Sequence, residues 1–343
     1  MARNKKFKRK IKRFIIFTLI ISLFLYHKYS TYIYVPFDEN NTEEIAITIK
    51  KGESIKEIAS DLKEKKLIRN AFTFRYFIKH NNLDKNIFAG RFHLQQSMNV
   101  PKIIEKLSNK ADAEYIITIQ EGLTIKDIDA KLVELELIKS GDFISAVENF
   151  NGWEYYNFLD KEDLSKLKLP LEGYLYPDTY YLDPGTFKPH HLIYLALDNF
   201  EKKYSEINKN SPILKKYGLE NVITMASIIE NEVFGEVDRK MVSDILWRRL
   251  ENGWTIGADA TLLYITDDRT ITKSDLAIDS PYNTRKNTGL PPGPISNPST
   301  SSINAALNPT PNNYWFYLTT LDTGKVIYAK TNEEQNINRA KYL

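Results

Sequence analysis

The chain contains no cysteine, which excludes disulfide staples and thiolate metal sites and fits a protein working outside the cytosol. Histidine is scarce: five are scattered over 343 residues, and His190 and His191 form the one adjacent pair, so no metal-ligand spacing is present. No strong excess of one charge exists either. The formal net charge of +3 excludes a chain-wide nucleic-acid binder or an acidic tail protein. The imbalance is local, because eight of the first thirteen residues, from Arg3 to Arg13, are basic and the remainder is slightly acidic. Long apolar runs are missing as well, with one exception at Phe14 to Tyr26, where Thr18 and Ser22 are the sole polar interruptions.

That run alone spans about 20 Å as a helix, short of a hydrocarbon core of ~30 Å. Continued through Tyr29, Tyr32 and Tyr34 to Val35 it is long enough, and the tyrosines suit the outer interface. No small residues of a signal-peptide cleavage site follow between positions 27 and 37. The expectation is an uncleaved single-pass anchor at 14–35, a basic cytoplasmic segment at 1–13, and everything from 37 onward on the far side of the membrane.

A chain of 343 residues implies two or three domains. Residues 47–68, ITIKKGESIKEIASDLKEKKLI, return at 117–138 as ITIQEGLTIKDIDAKLVELELI, with 11 of 22 positions identical. Each copy predicts a short strand, a turn at Gly52 or Gly122, a cap at Ser54 or Thr124, and an amphipathic helix. A weaker echo, FHLQQSMNVPKIIEKL, occupies 92–107. The fold class is therefore α+β: small strand-and-helix modules followed by a mixed domain.

In the second half, 220–234 (ENVITMASIIENEVF) sets ionisable groups beside an apolar helix face. At 100° per residue, Val222, Met225, Ala226, Ile229 and Val233 form one stripe, and Glu230 and Glu232 fall on its opposite shoulders with Asn231 pointing to solvent. Burial beside apolar groups raises a carboxyl pKa toward that of a working proton donor, whereas a carboxylate at such a shoulder is also commonly a solvated or salt-bridged surface group. The aromatic stretch PLEGYLYPDTYYLD at 170–183 suits a sugar cleft or an ordinary core. SPYNTRKNTGLPPGPISNP at 280–298 has five prolines and two glycines, and reads as a rigid loop leading into a capped helix from Ser299 and a strand pair near 315–329.

LEGYLYPDTY at 171–180, ASIIENE at 226–232, Asp259 with Thr261 and Tyr264, SPYNT at 280–284 and GLPPGPISNP at 289–298 together resemble the YceG family, the membrane-anchored endolytic murein transglycosylases also called MltG. The first repeat copy is similar to a LysM module. The resemblance implies a LysM-like domain at 37–115 and a catalytic domain with a cleft at 116–343, whose first part, 116–140, is the second repeat copy. It implies Glu230 as the catalytic acid and then base, with Tyr282, Asn283, Asp259, Tyr174, Thr179 and Glu232 as substrate contacts. It further implies peptidoglycan strands as substrate, peptidoglycan synthases as neighbours, and no cofactor or metal. The chain departs from the family at Gly257, where a Gln is common, and at Arg248, where an Asn is common.

Overall fold

The strand, glycine, cap and helix written twice in the sequence are folded twice in the computed structural model, which describes residues 2–50, 52–183, 186–207, 209–266, 271–320 and 323–342. Side chains 2–9 and 111 lie outside that description, so the basic groups from Arg3 to Arg9 are not placed, nor is Lys51 of the first copy. The chain divides into two units: residues 1–116 with 181–187, and residues 117–180 with 188–343.

The first unit begins with helix α1 (Ala2–Tyr34), which contains Lys10–Tyr34, the one helix among the described residues long and apolar enough to cross a membrane. Strand β1 (Glu44–Ile49) is followed by α2 (Ile55–Glu64) and α3 (Ala71–His80), then by β2 (Gly90–Gln95) and α4 (Val100–Leu107). β1 and β2 pair antiparallel with Ile47 opposite Phe92. Ser54 accepts the Glu57 N–H while Glu57 accepts the Ser54 N–H, a reciprocal cap that starts α2. Asn70 and Asn99 start α3 and α4 with one-sided caps, each accepting from a backbone N–H of the first turn. One core results. Ile47, Ile58, Leu62, Phe92, Leu94 and Ile103 are all buried in it, and each such side chain stabilises the fold by roughly 1.5–3 kcal/mol. Ile33 of α1 is fully buried in the same core, Tyr29 meets Tyr76 edge-on at 6.0 Å, and Arg69 donates to the carbonyls of Pro36 (2.6 Å) and Phe37 (3.0 Å). The last turns of α1 are thus part of the unit.

β3 (Tyr115–Thr118) pairs with β4 (Thr179–Leu182), and each strand carries the chain from one unit to the other. The second unit continues with α5 (Ile125–Glu134), the helix of the second copy, then α6 (Asp142–Glu148), α7 (Lys161–Leu164), α8 (Pro189–Ser205), α9 (Pro212–Glu232), α10 (Glu236–Glu251), α11 (Asp259–Thr266) and α12 (Thr300–Leu307). An antiparallel hairpin, β5 (Phe316–Thr319) and β6 (Val326–Ala329), and α13 (Asn332–Tyr342) complete it.

α9 is central. Gly218, at φ +78°, breaks it, and the stretch 219–232 then runs through the core with every residue from Val222 to Glu230 buried. The single apolar stripe expected from the sequence is corrected here: α10, α11 and α12 all pack on α9, so all its faces are covered. Tyr174 is fully buried against Phe158 and Phe200, so the aromatic stretch at 170–183 contributes to a core at this position. Gly173, at φ +88°, is required there, because a Cβ would lie 2.6 Å from Pro294 of the proline-rich loop.

Candidate active site

Residues two apart on a helix leave it roughly 160° apart, so Glu230 and Glu232 depart α9 on opposite sides. Glu230 turns toward α10 and α12. Its Oε1 accepts from Arg239 Nη2 at 2.5 Å, and its Oε2 accepts at 2.8 Å from the backbone N–H of Ser299, the residue that caps α12. The acid is buried and the guanidinium largely so, and together they join three helices. Glu230 does not line the cavity described next.

Glu232, the last residue of α9, faces a cavity of about 830 Å³ within the second unit. Gly122 and Thr124 of the second repeat copy form part of its wall, together with Asp259 and Tyr264 of α11, Arg249 of α10 and Tyr317 of β5. The Tyr317 hydroxyl donates to Glu232 Oε2 at 3.0 Å, and the Ala260 N–H in the first turn of α11 donates to the same carboxyl group. Burial pushes the Glu232 pKa up, and the nearby Asp259 charge pushes the same way; Tyr317, Ala260 and Arg285 pull it down, and burial prevails. A carboxyl group whose pKa is raised by burial and which faces an open cavity is suited to act as a general acid.

Two supports hold this group in place. Arg249 is pinned by donation to the carbonyls of Ile256 (2.7 Å) and Trp315 (3.0 and 2.7 Å), which ties the segment before α11 to the segment before β5. Those segments lead into Ala260 of α11 and Tyr317 of β5, the donors to Glu232. Behind the wall lies Glu172, fully buried, which accepts from the Ile125 N–H at the start of α5 (3.1 Å) and from the Tyr264 hydroxyl (3.3 Å). Burial pushes the Glu172 carboxyl up to about 8.

The other carboxylates of the cavity are engaged. Asp127 accepts from the N–H (2.8 Å) and hydroxyl (2.7 Å) of Thr124, and Asp259 is paired with Arg285. Among the described residues the one grouping able to hold a cation is Asp160, Asp163 and Glu220, outside the cavity lining, with the two aspartates exposed.

Of the residues expected from the sequence as catalyst or substrate contacts, the cavity brings together Glu232 and Asp259. Tyr282 stands one layer back, its ring 5.2 Å from that of Tyr264. Asn283 is fully buried and staples its own loop, donating to the carbonyls of Leu276 (3.2 Å) and Ile278 (2.9 Å). Thr179 is exposed on β4 and bonds Thr118 at 3.1 Å, and Tyr174 lies in the aromatic core; neither lines the cavity. Asn231 is exposed as expected, yet its amide donates to Ser227 (2.9 Å) and Ser296 (2.8 Å) and it borders the cavity. Gly257 lines the cavity at φ +70°, a backbone that a Gln would adopt only with strain. Nothing in the local sequence marks Arg249, Arg285 or Tyr317 as cavity residues.

The sequence model described as the YceG-like family matches residues 47–341. The chain is 34% identical over 322 residues to the endolytic murein transglycosylase of Bacillus subtilis (strain 168), covering 90% of this chain and 87% of that one. It is 28% identical over 370 positions to a Streptococcus pneumoniae (strain D39) protein also named endolytic murein transglycosylase, covering 97% of this chain and 66% of that relative. Among solved structures, a yceG-like protein from Listeria monocytogenes superposes with a TM-score of 0.61 at 34% identity, over 86% of this chain and 99% of that one.

Proposed function

The chain belongs to the YceG-like family, and from that premise we propose that it is an endolytic murein transglycosylase whose proton donor is Glu232. The observation that carries the assignment to Glu232 is its placement: the one carboxyl group of the cavity that is neither paired with a cation nor consumed in a cap, raised in pKa by burial.

In this reading a glycan strand occupies the cavity, and Glu232 protonates the glycosidic oxygen between N-acetylmuramic acid and N-acetylglucosamine. The muramoyl C6 hydroxyl then attacks C1 and gives its proton back to Glu232. The products are a 1,6-anhydromuramoyl end and a new N-acetylglucosamine 4-hydroxyl, with no water consumed. Hydrolysis of the usual kind needs a second carboxylate across the bond to act as nucleophile or to activate water. The engagement of Asp127 and Asp259 supports the single-acid route. Intramolecular attack also gains from proximity. Tyr317 and Ala260 fix the acid against the reacting oxygen, and Phe316 and Tyr264 offer ring faces for sugars.

The α1 helix is proposed to hold the enzyme at the outer face of the cytoplasmic membrane, with the second unit extracytoplasmic and cutting strands as synthases release them. The first unit is read as a LysM-like module that handles glycan. Digestion of purified peptidoglycan with the full chain, followed by mass spectrometry, tests the activity. Anhydro ends that vanish in Glu232→Gln are expected. Reducing ends in their place would make the enzyme a hydrolase, and no cleavage at any pH would leave a glycan-binding scaffold.

A further inference from the structure

The exposed part of α1 is too short for a bilayer. Its apolar run starts at Phe14, and contacts with the rest of the first unit start at Tyr29, leaving fifteen exposed residues from Phe14 to Lys28. At 1.5 Å per residue these cover about 22 Å of a hydrocarbon core of roughly 30 Å. Arg13 and Lys12 mark one boundary. The missing ~8 Å is about five more residues of helix, which carries the apolar layer to the level of Ile33. At that level α1 is already packed on α3, with Tyr29 edge-on to Tyr76, and Arg69 locks the segment leaving the helix.

What α3 presents there is unusual for a solvated face. Phe72 and Tyr76 are 68% and 50% exposed, although both are large and aromatic. Arg75, Lys79 and His80 share the face, and α3 contains no acidic residue. Arg75 sits over the Phe72 ring at 5.9 Å, and His80 stacks on Tyr76 at 5.6 Å. Beneath lies a groove of about 450 Å³ lined by Ile55, Ile78 and the two aromatics, with Asp84 the one acid. Exposed aromatics flanked by cations suit the headgroup layer of a bilayer, where rings sit at the apolar boundary and Lys or Arg meets lipid phosphate.

We propose that the exposed face of α3 is a second membrane contact, with Phe72 and Tyr76 seated at the apolar boundary and Arg75 and Lys79 on anionic phospholipid headgroups. The first unit is then held at fixed height and orientation on the bilayer. This inference rests on α1 crossing the membrane and is independent of the chemistry assigned to Glu232.

The absence of cysteine gives a direct test. Single cysteines replacing Phe72, Lys79, Leu19 in the span, or Glu64 on α2 would be spin-labelled in the full chain, reconstituted into phosphatidylcholine vesicles with or without phosphatidylglycerol. Collisions with oxygen, which favours lipid, and with an aqueous nickel chelate are compared. The expected result is that labels at 72 and 79 are shielded from nickel several-fold more than the label at 64. That shielding should increase with phosphatidylglycerol and decrease when Arg75 is changed to Glu. Labels at 72 and 64 equally open to nickel would overturn the proposal. Shielding indifferent to phosphatidylglycerol and to Arg75→Glu would overturn the headgroup assignment. A Leu19 label open to nickel would remove the span, and this inference with it.

Discussion

The two copies of the repeat share half of their aligned residues and the same local geometry, yet they are used differently. Gly52 and Gly122 have φ of +82° and +79°, Lys66 and Glu136 leave the two helices at φ of +56° and +57°, and reciprocal caps start both helices. Around the first copy the glycine looks onto open space. Around the second, a Cβ at Gly122 would lie 3.5 Å from Asn231 Oδ1 and 3.8 Å from the Glu230 side chain, its N–H donates to Asn297 O at 2.9 Å, and Glu172 receives the first N–H of α5. The module is the same. What makes one copy a cavity wall is the set of groups brought to its turn by distant parts of the chain.

The largest expected effect sharpens that contrast at its centre. Glu232→Gln should reduce anhydro-end formation by about 10³-fold, the scale of a lost general acid, with an unchanged melting curve. Glu230→Ala should do the reverse. It strands Arg239 and costs roughly 3 kcal/mol of stability by denaturant titration, while turnover per folded molecule survives. Turnover lost in Glu230→Ala but kept in Glu232→Gln would invert the site.

Glu172, which receives the first N–H of the second copy's helix, predicts a pH dependence of stability. Burial, then the neighbouring Asp127 charge, raise its pKa to about 8, against the pull of Ile125, Tyr264 and Lys126. The ordinary value is 4.5, so between about 4.5 and 8 the unfolded chain has released a proton that the folded one retains. The stabilisation is therefore complete at the acid end and is lost as pH rises through the window, by roughly 1.4 kcal/mol per unit. Glu172→Gln should flatten that slope in thermal melts across the window; an unaltered slope would assign it to other groups. The smallest effect is a matched pair. Ser54→Ala and Thr124→Ala should each cost about 1 kcal/mol, and Thr124→Ala alone should slow cleavage, since only that cap lines the cavity. Equal loss of activity in both would break the comparison.

The repeat was legible because its signals are local: alternation, a glycine, a hydroxyl cap and helical spacing all lie within 22 residues. The helix from Ser299 and the hairpin near 315–329 were legible for the same reason. The choice between Glu230 and Glu232 was not. Both flank one stripe on a helical wheel, and which shoulder meets a cation and which meets a cavity depends on Arg239, Ser299 and Tyr317, from other elements. The place of Asn283 was not legible either, since its amide donates to Leu276 and Ile278 only once its loop has closed.

Asn297 sets an order of assembly. It is fully buried; its N–H and side-chain amide both donate to Leu123 O at 2.9 Å, and its Oδ1 accepts from Leu175 N at 2.9 Å. The first copy finds its core partners between Ile33 and Ala113, so its contacts are available early as the chain leaves the ribosome. The turn of the second copy stays open until residue 297 has been made, 174 positions after Leu123. The core partners of the first module are therefore all made long before residue 297, and a chain that ends between the two lacks the group that closes the second turn.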